Sequence, residues 1–180
     1  MAAAAFLNGS HWCLICGAFL GQIRFFLDCT DGKLARLVRK TSRFGLALDH
    51  FTDIVAFVLM FSMLGLGQWR TNGLVIFLFL AGFFIVTSFY DRLTSSWLEL
   101  FLGEEASDSM LEAKTRIKLF SWLKKHRLSN FPSTVEAETL ALFFGPMLNQ
   151  VLIGFVLGLV LMLFHNLKNT YKLFTSLGGG

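Results

Sequence analysis

Long uncharged runs set the architecture of this 180-residue chain. The first extends from about His11 to Leu27 with only Arg24 interrupting it, the second from about Gly45 to Gly67, and the third from about Gly73 to Tyr90. A bilayer core takes roughly 20 helical residues to cross. Backbone polar groups in lipid must be satisfied within the segment, so these runs predict membrane-spanning helices. Between Asp91 and Asn130 the pattern turns polar. Glu104, Glu105 and Asp108 precede a basic amphipathic stretch through Lys114, Arg116, Lys118, Lys124, Lys125 and Arg127, which reads as interfacial. The last run, Thr139 to Leu167, would be about 43 Å long as one straight helix, more than a hydrocarbon core of roughly 30 Å. Gly145-Pro146 offers a break, giving either one kinked helix or two helices joined near there.

Basic residues orient the segments. Lys33, Arg36, Arg39, Lys40 and Arg43 lie between the first two runs, Arg92 and the basic stretch follow the third, and Lys168 and Lys172 follow the last; Arg70 lies in a short loop on the opposite side. The positive-inside rule puts the three basic groups together in the cytoplasm, which requires two short passes after Asn130. The expected fold is therefore an all-α integral membrane protein, a polytopic helical bundle of about five transmembrane helices with an external N-terminus and a cytoplasmic amphipathic helix. It forms one membrane-embedded domain over residues 1–180, in which 91–130 is cytoplasmic or interfacial. Composition agrees, at 54% hydrophobic and 16% charged residues, far from the balance of a soluble domain. Cys13, Cys16 and Cys29 are odd in number and read as small packing residues rather than a disulfide or metal pair. No signal-peptide cleavage pattern follows the Ala-rich start, so the first run is expected to be retained.

Four aspartates stand out against this background, in the pattern Asp28-x-x-Asp31-Gly32-x-x-Ala35-Arg36, eight residues, Gly45-x-x-x-Asp49-x-x-x-Asp53. Carboxylates in apolar helices are costly and mark functional sites. Spacings of three and four put each pair on one helix face, and the orientation above sets both pairs at the cytoplasmic ends of adjacent antiparallel helices. Closely set carboxylates repel unless cations or protons compensate them. An all-oxygen set without His or Cys favours magnesium, manganese or calcium, and two such ions can clamp the oxygens of an in-line phosphoryl displacement. Gly32 and Gly45 leave room for close approach, and Arg36 offers planar donors for phosphate oxygens. Together these residues read as a diphosphate site. A structural polar network or an ion or proton pathway would also use intramembrane acids, but neither explains the glycines, Ala35 and Arg36.

At every fixed position this pattern resembles the signature of the CDP-alcohol phosphotransferase family, over about 26 residues from Asp28 to Asp53. The resemblance implies a six-helix family core. It also implies a reaction in which an acceptor hydroxyl attacks a phosphorus of a CDP-linked donor, usually CDP-diacylglycerol or a CDP-aminoalcohol, and CMP leaves. Carried over by residue, Asp28, Asp31 and Asp49 become ligands of two divalent cations, Mg2+ or Mn2+. Asp53 becomes the base that takes the acceptor proton and also touches the second cation. Gly32, Arg36 and Ser42 match positions that contact the CDP part of the donor. The implied partners are a CDP-linked lipid donor, a small polar alcohol, membrane lipids and a second copy in a homodimer, with no nucleic acid. The implied location is that of a multi-pass integral membrane protein, in the cell membrane if the source is a prokaryote, with its active site facing the cytoplasm. Family members generally have a further helix before the one that ends in the first aspartate, and 27 residues precede Asp28, so the chain is expected to be short of that helix. A non-catalytic membrane subunit that binds a CDP-lipid is the alternative, followed by an ion or proton transporter.

Other residues carry weaker signals. Arg92, at the end of the third run, is a candidate clamp for a phosphorylated acceptor, because family members that use such acceptors hold them with basic residues near this level. Glu136 and Glu138 read either as first-turn acids favoured by the helix dipole or as cavity-facing groups suited to an amine. Gly154 and Gly158 have a small-xxx-small spacing that suits close helix packing or dimerisation. His50 reads as a packing or hydrogen-bonding residue, and His11, His126 and His165 show no partner pattern. The 21 phenylalanines are accounted for by lipid-facing and interhelical packing.

Overall fold

The computed structural model describes the backbone of residues 1–37, 43–114 and 133–177. Side chains are described for those residues apart from 28, 29, 31–37, 43, 46, 47, 49, 98–114, 172 and 175–177. The expected basic stretch from Lys114 to Arg127 lies outside the described side chains, and Ser42 outside the described residues altogether. The described elements are all helical: α1 (Ala2–Asn8), α2 (His11–Leu37), α3 (Arg43–Asn72), α4 (Ile76–Lys114), α5 (Thr134–Thr139), a π-helical turn (Leu140–Phe144), α6 (Gly145–Met147) and α7 (Val151–Leu177). Three helices, His50–Asn72, Ile76–Trp97 and Val151–Tyr171, are long and apolar enough to cross a membrane, and His11–Leu27 is a shorter apolar helix. The chain is a multi-pass membrane protein. Large apolar side chains such as Phe26, Phe79 and Leu167 stand exposed on these helices, as lipid-facing residues do.

Two compact units form, Met1–Ile85 with Glu138–Gly158, and Val86–Ala137 with Leu159–Gly180. In the first, an aromatic cluster makes the core. Phe61 of α3 stacks on Phe84 of α4 with centroids 4.3 Å apart, and Phe155 of α7 lies 6.0 Å from Phe61 and 6.4 Å from Phe84. All three rings are fully buried. The spacing that brings them inward is helical: Phe57, Phe61, Leu64 and Gln68 line one stripe of α3, and Phe77, Ala81 and Phe84 one stripe of α4. Helix α1 anchors to this unit through Phe6, also fully buried. Gly67 of α3 lets the α1 backbone in, because a Cβ there would overlap the Phe6 carbonyl.

The last apolar run is two helices, one of the alternatives that Gly145-Pro146 allowed. Pro146 has no N–H and its ring crowds the preceding turn; that turn widens into π geometry, with the Gly145 N–H bonded to the Leu140 carbonyl. The chain then reverses at Asn149, whose φ of 54° is left-handed. Asn149 donates to the Pro146 carbonyl and Gln150 to the Gly145 carbonyl, the Schellman pattern of a helix end. The reversal is proved by proximity. Leu140 and Gly154 would be about 21 Å apart along a straight helix, yet a Cβ on Gly154 would sit 2.8 Å from the Leu140 carbonyl oxygen and 2.7 Å from the Gly145 Cα. Gly154 thus serves close packing within the chain.

Gly154→Val should push the two backbones apart and lower stability by about 1–3 kcal/mol, read as an earlier thermal unfolding midpoint in detergent. Gly82→Ala, where a Cβ meets nothing within 4 Å, should leave that midpoint unchanged or raise it by up to about 1 kcal/mol of helix propensity.

Candidate functional site

Both halves of the aspartate pattern are helical. Asp28, Asp31, Gly32 and Arg36 lie in the C-terminal part of α2, and Gly45, Asp49 and Asp53 in the first three turns of α3. Of the four aspartates, Asp53 is the one whose side chain is described, and it meets Arg24: Nη2 of Arg24 lies 2.5 Å from Oδ1 of Asp53, with the two side chains 38% and 30% exposed. A Cβ on Gly21, one turn before Arg24, would contact the Met60 sulfur at 3.7 Å. Going from Gly21 to Arg24 along α2 therefore means going back from Met60 to Asp53 along α3, so the two helices are antiparallel here. The side chains of Asp28, Asp31, Arg36 and Asp49 are outside the described ones. Among the described residues no group of three or more His, Cys, Asp or Glu side chains gathers. The donor types nonetheless suit hard divalent cations, since four carboxylates present oxygen alone.

A second polar cluster, which the sequence reading did not find, occupies the other unit. α4 does not stop at Tyr90 but continues to Lys114, because Leu93, Trp97 and Leu98 prolong the apolar pattern and Asp91 is sheltered rather than exposed at a helix end. The Asp91 Oδ1 accepts a hydrogen bond from the Asn169 amide at 3.0 Å, and the His165 Nε2 lies 3.2 Å from the same oxygen and 2.9 Å from the Asn169 nitrogen. The imidazole tautomer decides whether Nε2 donates to Asp91 or accepts from Asn169. Asn166 donates to the Thr87 carbonyl at 3.0 Å, and the Tyr90 and Thr170 hydroxyls are 2.7 Å apart. The Ser88 Oγ and the Asn166 Oδ1 are buried without a hydrogen-bond partner among the described residues; a bound water would satisfy such atoms. The signal that could have revealed this cluster is the four-residue repeat of His165 with Asn169 and Asn166 with Thr170, one helix face carrying hydrogen-bonding groups through apolar sequence. Arg92, the candidate acceptor residue, is half-buried on α4 beside it in sequence.

Glu136 has a defined local role. Ser133-x-x-Glu136 forms a capping box at the start of α5: the Ser133 N–H donates to the Glu136 carboxylate at 2.7 Å, and the Ser133 hydroxyl bonds the same oxygen. Burial pushes the Glu136 carboxyl up, but the Ser133 hydroxyl and the backbone N–H groups of Glu136 and Ser133, with His165 nearby, outweigh it and hold the carboxyl below its ordinary 4.5.

Compared with known proteins, residues 1–164 match the family model described as CDP-alcohol phosphatidyltransferase. No curated protein and no solved structure gave a match.

Two outcomes are expected. Asp91→Ala removes the carboxylate that accepts from the Asn169 amide and lies beside the His165 imidazole, and should cost about 1–3 kcal/mol by thermal unfolding in detergent, whereas Asp91→Asn, which keeps an oxygen there, should cost less. A carboxyl held low in the folded state adds stability that is fully present above its unfolded value near 4.5 and is lost as pH falls through the lowered folded value. Ser133→Ala should therefore lower the unfolding midpoint at pH 7, and the gap to the unsubstituted chain should narrow as the pH is taken well below 4.5.

Proposed function

Because the chain belongs to the CDP-alcohol phosphatidyltransferase family, we propose that it moves a phosphatidyl or other phosphoalcohol group from a CDP-linked donor, with CDP-diacylglycerol the first to test, to the hydroxyl of a small polar alcohol. CMP is the second product, and the reaction belongs to phospholipid biosynthesis. The observation that carries the reading is the complete aspartate signature inside the matched residues. It is supported by the antiparallel run of α2 and α3 at Arg24 and Asp53.

In this reading the acceptor oxygen bonds to the phosphorus that carries the lipid alcohol. The bond from that phosphorus to the bridging oxygen breaks, and CMP leaves with the electron pair. Asp53 takes the acceptor proton. Arg36, with Gly32 and Ser42, holds the CDP part, so that charge growing on the leaving CMP meets a fixed cation. Two divalent cations, Mg2+ or Mn2+, held by Asp28, Asp31, Asp49 and Asp53, would supply Lewis-acid polarisation of the phosphoryl oxygens. Arg92 is the candidate contact for an acceptor phosphate. The charge distribution supports five passes, the fourth and fifth meeting at Asn149, with the aspartates on the cytoplasmic side. The second copy of a homodimer completes the proposal.

Purified protein given CDP-diacylglycerol, Mg2+ or Mn2+ and a panel of acceptors (glycerol 3-phosphate, inositol phosphate, serine, aminoalcohols) should release CMP and form one lipid product. Asp53→Asn should reduce the rate at least about 100-fold, the scale of a lost general base, while nucleotide binding persists. Unchanged turnover in that variant would take the base role from Asp53.

A further inference from the structure

Arg24 is the one charged residue in the apolar run from His11 to Leu27, and it lies outside the aspartate signature. A guanidinium in such a helix is costly and needs a reason. Its partner supplies one. Nη2 of Arg24 sits 2.5 Å from Oδ1 of Asp53, and among the described residues no other side chain has a recorded bond to that carboxylate. The pair is not sealed inside the protein: 38% of the Arg24 side chain and 30% of the Asp53 side chain are exposed. A hard divalent cation approaches a carboxylate oxygen to about 2.0–2.1 Å. Bound at Asp53 beside the guanidinium, it would set two positive charges against one carboxylate, and their repulsion would weaken both contacts.

The geometry points to Arg24 as a built-in counter-ion for Asp53, one that competes with a divalent cation and gives up the carboxylate when the cation arrives. This rests on the reading of Asp53 above. Without the cation, Arg24 answers the Asp53 charge and ties α2 to α3. With the cation bound, Asp53 turns to it, and the guanidinium stays tethered one helical turn before Asp28. Arg24 is thus a positioning residue acting through Asp53. Its removal should make cation binding tighter, whereas loss of a purely structural tie would leave affinity unchanged or weaken it.

The test is Mn2+ binding to the full detergent-solubilised chain without nucleotide or lipid donor, read from the electron paramagnetic resonance signal of free Mn2+. Arg24→Met should bind Mn2+ about two- to fivefold more tightly than the unsubstituted chain, the worth of a partly exposed ion pair. Arg24→Lys keeps the charge but not the planar fork and should stay within about twofold of the unsubstituted chain. In an Asp53→Asn background the effect of Arg24→Met should vanish. Arg24→Gln takes the place of the methionine variant if the latter does not elute as a folded species. Saturable Mn2+ binding that Arg24→Met leaves unchanged or weakens would overturn the role of Arg24 alone. An unsubstituted chain with no saturable Mn2+ binding would overturn the two-cation reading, and this inference with it.

Discussion

An acidic side chain set into an apolar helix must have its charge answered nearby, and that constraint organises both units of this protein. Asp53 is met by Arg24, from a neighbouring helix. Asp91 is met by Asn169 and His165. The two solutions differ in kind. The first is a single, partly exposed ion pair between two helices. The second is a sheltered set of hydrogen bonds in which Asp91, Asn169 and His165 each lie within bonding distance of the other two. A fixed network suits a group that holds helices in register.

Each unit has its own buried set on the shared helices. Along α4 the buried positions pass from Phe77, Ala81 and Phe84 to Ser88, Asp91 and Thr94, and along α7 from Phe155, Leu159 and Met162 to Asn166 and Asn169. What alters is the chemistry, from rings whose packing is tolerant of small shifts to hydrogen bonds with fixed lengths and angles. The aromatic portion supplies buried area, and the polar portion selects one rotation of each helix.

Much of this was legible from residue order because it depends on length and spacing. The uncharged runs marked the long helices, and the three- and four-residue intervals of Asp28, Asp31, Asp49 and Asp53 fall on helix, while of these four side chains Asp53 alone is described. Less legible was whatever depends on a partner distant in sequence. His165 showed no pattern because Asp91 is on another helix, and Arg24 was visible as an interruption while Asp53 as its partner was not. The Ala-rich start has no periodicity to read; one ring, Phe6, docks α1. The break in the last apolar run was visible at Gly145-Pro146, but choosing between a kink and a reversal needed Asn149, whose left-handed backbone ends the helix a few residues later.

That reversal bears on how the chain enters a bilayer. From Thr134 to Met147 the first arm is roughly 20 Å of helix, begins with Glu136 and Glu138, and is too short and too polar to partition by itself. The second arm, α7, is long and apolar enough to partition alone. With Gly145 and Gly154 in close backbone approach, the less apolar arm is coupled directly to the more apolar one, so the two arms of this hairpin differ in their own preference for lipid while sharing one tight turn.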